Sequence, residues 1–153
     1  ALMKKIFIGA DHGGFVLKNI LIPFLEKLDY EVEDCGALFL DPGDDYPEIS
    51  FTVAEKVKNN QGSFGILLCR SGGGVAIAAN KVVGIRAVSA IDEESAAHAR
   101  KDNDAQILVV GADFVSSEEK AKKVVVEFLE TDFSKESRHQ RRINQIHDYE
   151  KRK

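Results

Sequence analysis

Residues 64–81 read FGILLCRSGGGVAIAANK, and this stretch decides the fold class of the chain. Its first six residues, FGILLC, are apolar or small throughout, as in a strand that is covered on both faces. Three successive glycines at 72–74 then separate this strand from VAIAANK, residues 75–81, which we predict to be helical. A buried strand that leads through a glycine loop into a helix is typical of a parallel α/β sheet.

The rest of the chain repeats this alternation of short apolar runs and longer segments with helical periodicity. We predict five strands, at residues 5–9, 30–34, 64–69, 85–90 and 107–111. The helices predicted between and after them lie at residues 15–28, 47–59, 75–81, 93–101 and 117–131. Pro23 is expected to kink or shorten the first helix. We therefore expect a single domain, residues 1–153, whose five-stranded parallel sheet carries helices on both faces.

The C-terminal segment, residues 135–153, is highly charged and is predicted to form an extra helix. Its apolar surface is small and comes from Ile143, Ile146 and Tyr149. Three arrangements are therefore open: the helix lies on the domain surface, packs against a partner subunit, or frays.

Composition narrows the class of protein. Of the 153 residues, 44% are hydrophobic and 30% are charged, with a formal net charge of −4, which argues against a nucleic-acid or membrane-surface partner. No stretch approaches the roughly 20 apolar residues that a membrane span needs, and no secretory leader is recognisable. The two cysteines, Cys35 and Cys69, are too few for a disulfide framework. A cytoplasmic location is expected.

Ligands of open parallel sheets bind beyond the carboxyl ends of the strands, which selects two loops. They are ADHGG, residues 10–14, and CRSGGG, residues 69–74. Backbone amides of a glycine loop, together with a helix N-terminus, suit a phosphate or an enediolate, although many such turns are purely structural. The Walker pattern cannot be laid on this loop. A phosphatase-like loop would need arginine where Val75 stands.

Residues in and beyond these loops each allow two interpretations. Cys69 is either a small buried strand residue or a thiol activated by the neighbouring amides to abstract a proton. Asp11 and His12 are either a turn with an exposed histidine or a hydrogen-bonding carboxylate beside a phosphate-binding imidazole. Arg138 and Arg142, spaced i and i+4, share a helix face and either grip one phosphate or belong to a solvated surface.

Six segments together resemble the ribose-5-phosphate isomerase B family, which includes related hexose-phosphate isomerases. They are GADHGGFVLK (9–18), DYP (45–47), GILLCRSGGGVAIAANK (65–81), GIRA (84–87), DND (102–104) and SRHQRRI (137–143). The segments occur in family order and spread over nearly the whole chain. The resemblance implies a Rossmann-like three-layer α/β/α sandwich and a homodimer, paired into a tetramer in some members. It also implies an active site at the dimer interface, with the C-terminal helix reaching across.

The implied reaction is aldose–ketose isomerisation of ribose 5-phosphate to ribulose 5-phosphate through a cis-enediolate, without a metal or other cofactor. Cys69 resembles the base, because Val75 stands where other members have glutamate. Ser71 stands near the sugar hydroxyls, where the family often has threonine. The resemblance assigns substrate binding to Asp11, His12, Tyr46, Gly72, Gly73, Gly74, Asn103, Arg138 and Arg142, with the two arginines coming from the other subunit.

Three departures from the family pattern leave the substrate open. Asp102 stands where many members have a histidine that opens the furanose ring, and His139 is its natural replacement, ahead of His98. Asp113 stands where members often have a phosphate-binding arginine, and Arg70 replaces a usual glycine. Two alternatives therefore remain: an isomerase of a six-carbon sugar phosphate, of the galactose- or allose-6-phosphate type, or a non-catalytic sugar-phosphate-binding subunit.

Overall fold

The computed structural model describes residues 4–152, so residues 1–3 and Lys153 of the predicted domain and C-terminal helix lie outside the described residues. The strands are β1 (Lys5–Ala10), β2 (Glu31–Asp34), β3 (Phe64–Cys69), β4 (Ala87–Ser89) and β5 (Ile107–Gly111). The helices are α1 (Phe15–Lys27), α2 (Tyr46–Asn59), α3 (Gly73–Asn80), α4 (Glu93–Lys101), α5 (Glu118–Glu130) and α6 (Ser137–Glu150). All strand pairs are parallel, in the order β2-β1-β3-β5-β4. The predicted five-stranded parallel sheet is confirmed.

Two apolar cores, one on each face of the sheet, produce the three-layer arrangement. Because side chains alternate along a strand, Ile66 and Leu68 of β3 pack with α1, α4 and α5, whereas Leu67 and Cys69 pack with α2 and α3. The central strands β3 and β5 therefore have no polar face, which explains their continuous apolar sequences. The same alternation directs the Cys69 side chain toward α2 and α3.

Most predicted elements match the observed bounds to within one residue, and three differences have a structural explanation. Helix α1 continues through Pro23 to Lys27, because Leu21 and Leu25 on either side of the proline are fully buried. The expected shortening is therefore wrong. Strand β4 is only three residues long, since it is an edge strand paired with β5 alone. Helix α3 begins at Gly73, so two of the three glycines form its first turn instead of a separate loop.

Helix α6 lies against its own chain through a few contacts. The side chain of Ile143 is buried, and the Glu150 carboxylate accepts a hydrogen bond from the Gly84 amide. Arg86 Nη1 lies 2.7 Å from His147 Nε2. The predicted C-terminal helix is thus present, while its packing against a partner subunit stays a prediction. Over residues 4–152, no helix has both the length and the apolar character that crossing a membrane requires.

A buried ion pair ties α1 to the segment after β2. Lys18 is fully buried, and its Nζ donates to Asp34 Oδ1 at 2.8 Å, to Asp34 Oδ2 at 3.0 Å and to the Ala37 carbonyl. The pair orients the chain that leads from the sheet into the loop of residues 35–45. Its removal tests how much of the fold depends on this link.

We predict that Asp34→Ala lowers the free energy of unfolding by about 3 kcal/mol, because it leaves the Lys18 ammonium buried without a counter-charge. The matched control, Lys18→Met combined with Asp34→Asn, removes both charges and should remain within about 1 kcal/mol of the wild type. Urea denaturation followed by circular dichroism measures both values. Equal destabilisation of the two variants would contradict the prediction.

Candidate active site

The two loops selected from the sequence meet at the carboxyl edge of the sheet. Strands β1 and β3 are neighbours with Ala10 opposite Leu68, so Asp11 and Cys69 follow at adjacent strand ends. The loops touch, because a Cβ atom placed on Gly13 would lie 2.9 Å from the backbone nitrogen of Arg70. The two selected loops are therefore in contact at this edge.

Cys69 occupies the last position of β3 and is 5% exposed. The backbone N–H of Gly72 donates to Cys69 Sγ at a distance of 3.0 Å. Gly72 also caps the N-terminus of α3, with a φ of 86° that favours glycine. An N–H group at a helix N-terminus stabilises negative charge on the sulfur to which it donates.

Cys35 provides an internal comparison. It is partly exposed and lies just after β2. Burial, followed by the negative charge of Glu33, raises the pKa of the Cys35 thiol to about 11. A thiol with so high a pKa is protonated at neutral pH and is a poor base.

The glycine loop is packed tightly against two neighbours. Gly111, at the end of β5, lies directly against the Ser71 carbonyl, where a side chain would collide with backbone. The ring of Tyr46 covers Gly74, because a Cβ atom there would come within 2.5 to 2.9 Å of three ring atoms. Ser71 Oγ accepts a 3.3 Å hydrogen bond from the Gly73 N–H. Tyr46 and Ser71 thus lie at the loop, as expected.

Asp11 and His12 form a polar cluster with Asp44, which the sequence reasoning missed. Asp11 is buried, and its Oδ1 accepts a 2.9 Å hydrogen bond from the Gly13 N–H. Asp44 Oδ1 lies 2.8 Å from His12 Nδ1 and accepts a second hydrogen bond from the His12 backbone. One ligand atom from each of the three side chains lies within 4.8 Å of the others, so this cluster could geometrically hold a cation.

A second group of predicted site residues lies at the amino edge of the sheet. Helix α4 runs back from the carboxyl edge, so Asp102 and Asn103 after it precede β5. Asp102 stands between two histidines, with Oδ2 at 3.0 Å from His98 Nδ1 and Oδ1 at 3.6 Å from His139 Nε2. His139 is buried, and its Nδ1 is hydrogen-bonded to Ser134 Oγ at 2.9 Å, a partner the sequence did not indicate.

Both candidate arginines lie on the exposed surface of α6, close to this second group. Arg138 donates from Nε to Glu136 Oε2 at 2.8 Å, and neither Arg138 nor Arg142 is buried. Helix α6 starts at the amino edge, because the backbone N–H of Ser134 donates to the Lys101 carbonyl. The arginines therefore belong with Asp102, Asn103 and His139.

The length of β5 separates the two groups within one chain. Cys69 is paired with Gly111 at one end of β5, whereas Asn103 precedes Ile107 at the other end. At roughly 3.3 Å per residue, the strand alone places these ends about 13 Å apart. One chain therefore does not bring Asn103, His139 or the arginines to Cys69.

The two unusual residues near the glycine loop are neighbours. Asp113 is exposed, and its backbone N–H donates to the Arg70 carbonyl at 3.0 Å. Arg70 is also exposed, and its side chain lies against Gly13, one residue beyond His12. Lys101 lies at the opposite, amino edge of the sheet beside Asp102, so it is not a neighbour of Asp113.

We predict that Gly111→Ala lowers the free energy of unfolding by about 1–3 kcal/mol, because the methyl group displaces the backbone of the glycine loop. Gly73→Ala is the matched control on the same loop, since a Cβ atom there meets only Ser71 Oγ at 3.7 Å. This variant should remain within about 1 kcal/mol of the wild type. Chemical denaturation measures the free energy of unfolding of both variants. Equal values for Gly111→Ala and Gly73→Ala would contradict the prediction.

Comparisons with known proteins agree on one family. The family model described as Ribose/Galactose Isomerase matches residues 6–146. The ribose-5-phosphate isomerase B of Mycobacterium tuberculosis is 42% identical over 147 residues, covering 96% of this chain and 90% of that protein. A crystal structure of Mycoplasma genitalium ribose-5-phosphate isomerase B with bound ribulose-5-phosphate is 41% identical, with a TM-score of 0.94 over 100% of both chains. The Clostridium thermocellum enzyme is 40% identical, with a TM-score of 0.92 over 97% of this chain and 98% of that one.

Proposed function

The chain belongs to the ribose/galactose isomerase family, and from this premise we propose that it interconverts ribose 5-phosphate and ribulose 5-phosphate. Its relatives at 40–42% identity are ribose-5-phosphate isomerases B, and one of them binds ribulose-5-phosphate in its crystal structure. The observation that carries the proposal is the hydrogen bond from the Gly72 amide to the sulfur of Cys69 at the end of β3. It supports a thiolate base beside a helix N-terminus.

In the proposed mechanism the Cys69 thiolate removes the proton from C2 of the open-chain aldose. The electron pair of the broken C–H bond forms the C1–C2 double bond, and the carbonyl oxygen becomes the enediolate oxygen. First-turn N–H groups of α3, which have no acceptor within the helix, stabilise this negative charge. The thiol then returns the proton to C1, while the proton of the C2 hydroxyl passes to the C1 oxygen and the C2 oxygen becomes the ketone. Ser71 and Asp11 hydrogen-bond the sugar hydroxyls, and Tyr46 lines the pocket.

The other end of the substrate needs a cationic phosphate site, and we assign it to His12 together with Arg138 and Arg142 of the partner subunit. The separation of the two residue groups along β5 supports this arrangement, in which the carboxyl edge of one chain faces the amino-edge group of a second copy. Three consecutive apolar side chains, Leu38, Phe39 and Leu40, are 75%, 72% and 55% exposed. An exposed apolar run of this kind supports burial against a partner.

His139 of the partner subunit is the proposed acid that opens the furanose ring. Its two ring nitrogens face Ser134 and Asp102, which can orient the imidazole and carry a proton to and from it. Asn103 of the partner subunit holds the enediolate oxygen. Because the base must remain a free thiol, a reducing compartment such as the cytoplasm is the setting we propose.

We predict that Cys69→Ala lowers kcat for ribose 5-phosphate by about 10³-fold, the typical contribution of a general base. Cys35→Ala, which removes the other thiol, should leave kcat unchanged. A coupled assay of ribulose 5-phosphate formation, run beside allose 6-phosphate, measures both variants. Turnover of the six-carbon sugar alone would move the mechanism to a longer substrate. Binding without turnover on either sugar would indicate a non-catalytic subunit.

The shared site makes a second prediction about mixed dimers. A heterodimer of one Cys69→Ala chain and one chain carrying Arg138→Ala and Arg142→Ala contains one intact site of two. It should therefore recover about half of the wild-type activity, although both parent homodimers are inactive. Co-expression with two different affinity tags provides the heterodimer. An inactive heterodimer would place both sets of residues in one chain and contradict the shared site.

A further inference from the structure

One carboxylate oxygen, Asp44 Oδ1, holds His12 at two points. It lies 2.8 Å from the ring nitrogen Nδ1 and accepts a 3.0 Å hydrogen bond from the backbone N–H of the same residue. The contact spans 32 positions in the sequence, so it joins the loop after β1 to the loop before α2. The side chain of Asp44 is 14% exposed, and that of His12 is 31% exposed. The histidine is therefore the more accessible member of the pair.

The backbone around Asp44 is fixed by a turn. The Asp44 N–H donates to the Asp41 carbonyl at 3.1 Å, and the Gly43 N–H donates to Asp41 Oδ1 at 3.0 Å. Helix α2 begins two residues later at Tyr46, whose ring covers Gly74 of the glycine loop. Asp44 is thus anchored between the turn and an element that itself belongs to the candidate site.

The second oxygen of the same carboxylate, Asp44 Oδ2, is buried and has no hydrogen-bond partner among the described residues. A buried polar atom without a partner costs free energy, and such an atom in a native protein calls for an explanation. The position of this carboxylate is explained by what it does to His12.

A carboxylate accepts hydrogen bonds and does not donate them, so the Asp44 contact places a proton on His12 Nδ1. Nε2 is then the nitrogen left for a ligand. A phosphate oxygen takes a hydrogen bond from Nε2 only when that nitrogen also carries a proton, and Asp44 balances the charge of the resulting imidazolium. The Asp11 carboxylate also lies near the ring, and the Arg70 side chain lies against Gly13, the residue after His12.

We propose that Asp44 is a positioning residue, which fixes the ring of His12 with Nδ1–H directed at its own carboxylate and Nε2 presented to the substrate's phosphate. The phosphate role rests on the proposed function, whereas the hold on the ring does not. A cation bound by Asp11, His12 and Asp44 is the competing explanation of the same cluster.

The experiment compares Asp44→Asn and Asp44→Ala with the wild type. The amide oxygen of asparagine can accept the same two hydrogen bonds without the charge, whereas alanine removes both. We expect Asp44→Ala to raise KM for ribose 5-phosphate about 10-fold at nearly unchanged kcat, the effect of one charge-assisted hydrogen bond. The KM of Asp44→Asn should lie between that of Asp44→Ala and that of the wild type. Glu48→Gln, an exposed carboxylate on the first turn of α2, is the charge control and should change neither constant.

A double-mutant cycle separates positioning from a general structural role. In a His12→Gln background, Asp44→Ala should add less than about twofold to KM, because the ring that Asp44 orients is gone. If the increase in KM of the double variant instead equals the product of the increases of the two single variants, the proposal is overturned. Thermal unfolding of each variant shows whether it folds. If Asp44→Ala does not fold, Asp44→Asn takes its place in the cycle.

Nitrogen-15 NMR of the imidazole rings tests the hold on His12 without any turnover, with His12→Gln assigning the signal. We expect a protonated Nδ1 in the wild type and in Asp44→Asn, and a mixture of both tautomers in Asp44→Ala. Titration with inorganic phosphate should shift the signal of His12 Nε2. The affinity for phosphate measured in this way should be about 10-fold weaker in Asp44→Ala. A wild-type protein without isomerase activity that shows these NMR results would refute the proposed function and keep the positioning role. An unprotonated Nδ1, or activity lost to EDTA and restored by Mg²⁺, would overturn the positioning role.

Discussion

The hydrogen bond from the Gly72 amide to the Cys69 sulfur is the contact on which the rest of the candidate site depends. It requires a left-handed backbone at residue 72, with a φ of 86°, so that the chain can turn back over the end of β3. The turn is possible only because Gly111 on the adjacent strand has no side chain to block the Ser71 carbonyl. Gly74 meets a similar demand under the ring of Tyr46. The glycines therefore bring sulfur, amides and aromatic ring together.

The parallel sheet imposes a second constraint, because it separates groups that the proposed mechanism combines. Every strand ends at the same edge, and each helix carries the chain back to the opposite edge before the next strand begins. Cys69 consequently lies at one edge, while Asp102 and His139 lie at the other. The length of a strand cannot be bridged by side chains. In the proposed site a second copy of the chain supplies these groups, and α6, with its few contacts to its own domain, lies beside them.

Much of the fold could be predicted from the sequence because the central strands are buried on both faces and read as unbroken apolar runs. The edge strand β4 was predicted too long, since it has only one neighbour, and the pattern of residues 85–90 does not show this. The loops that hold Cys69 and Asp11 followed from the general geometry of parallel sheets. Asp44 was missed because it is one of several aspartates in a loop, and nothing local indicates which carboxylate meets a histidine 32 residues away. Ser134, which lies five residues before His139, was also missed.

The departures from the family pattern can be compared by the edge of the sheet at which each charged residue lies. At the carboxyl edge, the anionic Asp113 and the cationic Arg70 are joined through their backbones, and the Arg70 side chain lies against the loop that holds His12. A cationic side chain therefore stands on the loop next to position 113. At the amino edge, Asp102 stands where the family resemblance implies a histidine, but it lies between His98 and His139, so an imidazole remains beside that position. Each replacement is thus accompanied by a group of the expected type at the same edge, as the proposed site assembled from two edges requires.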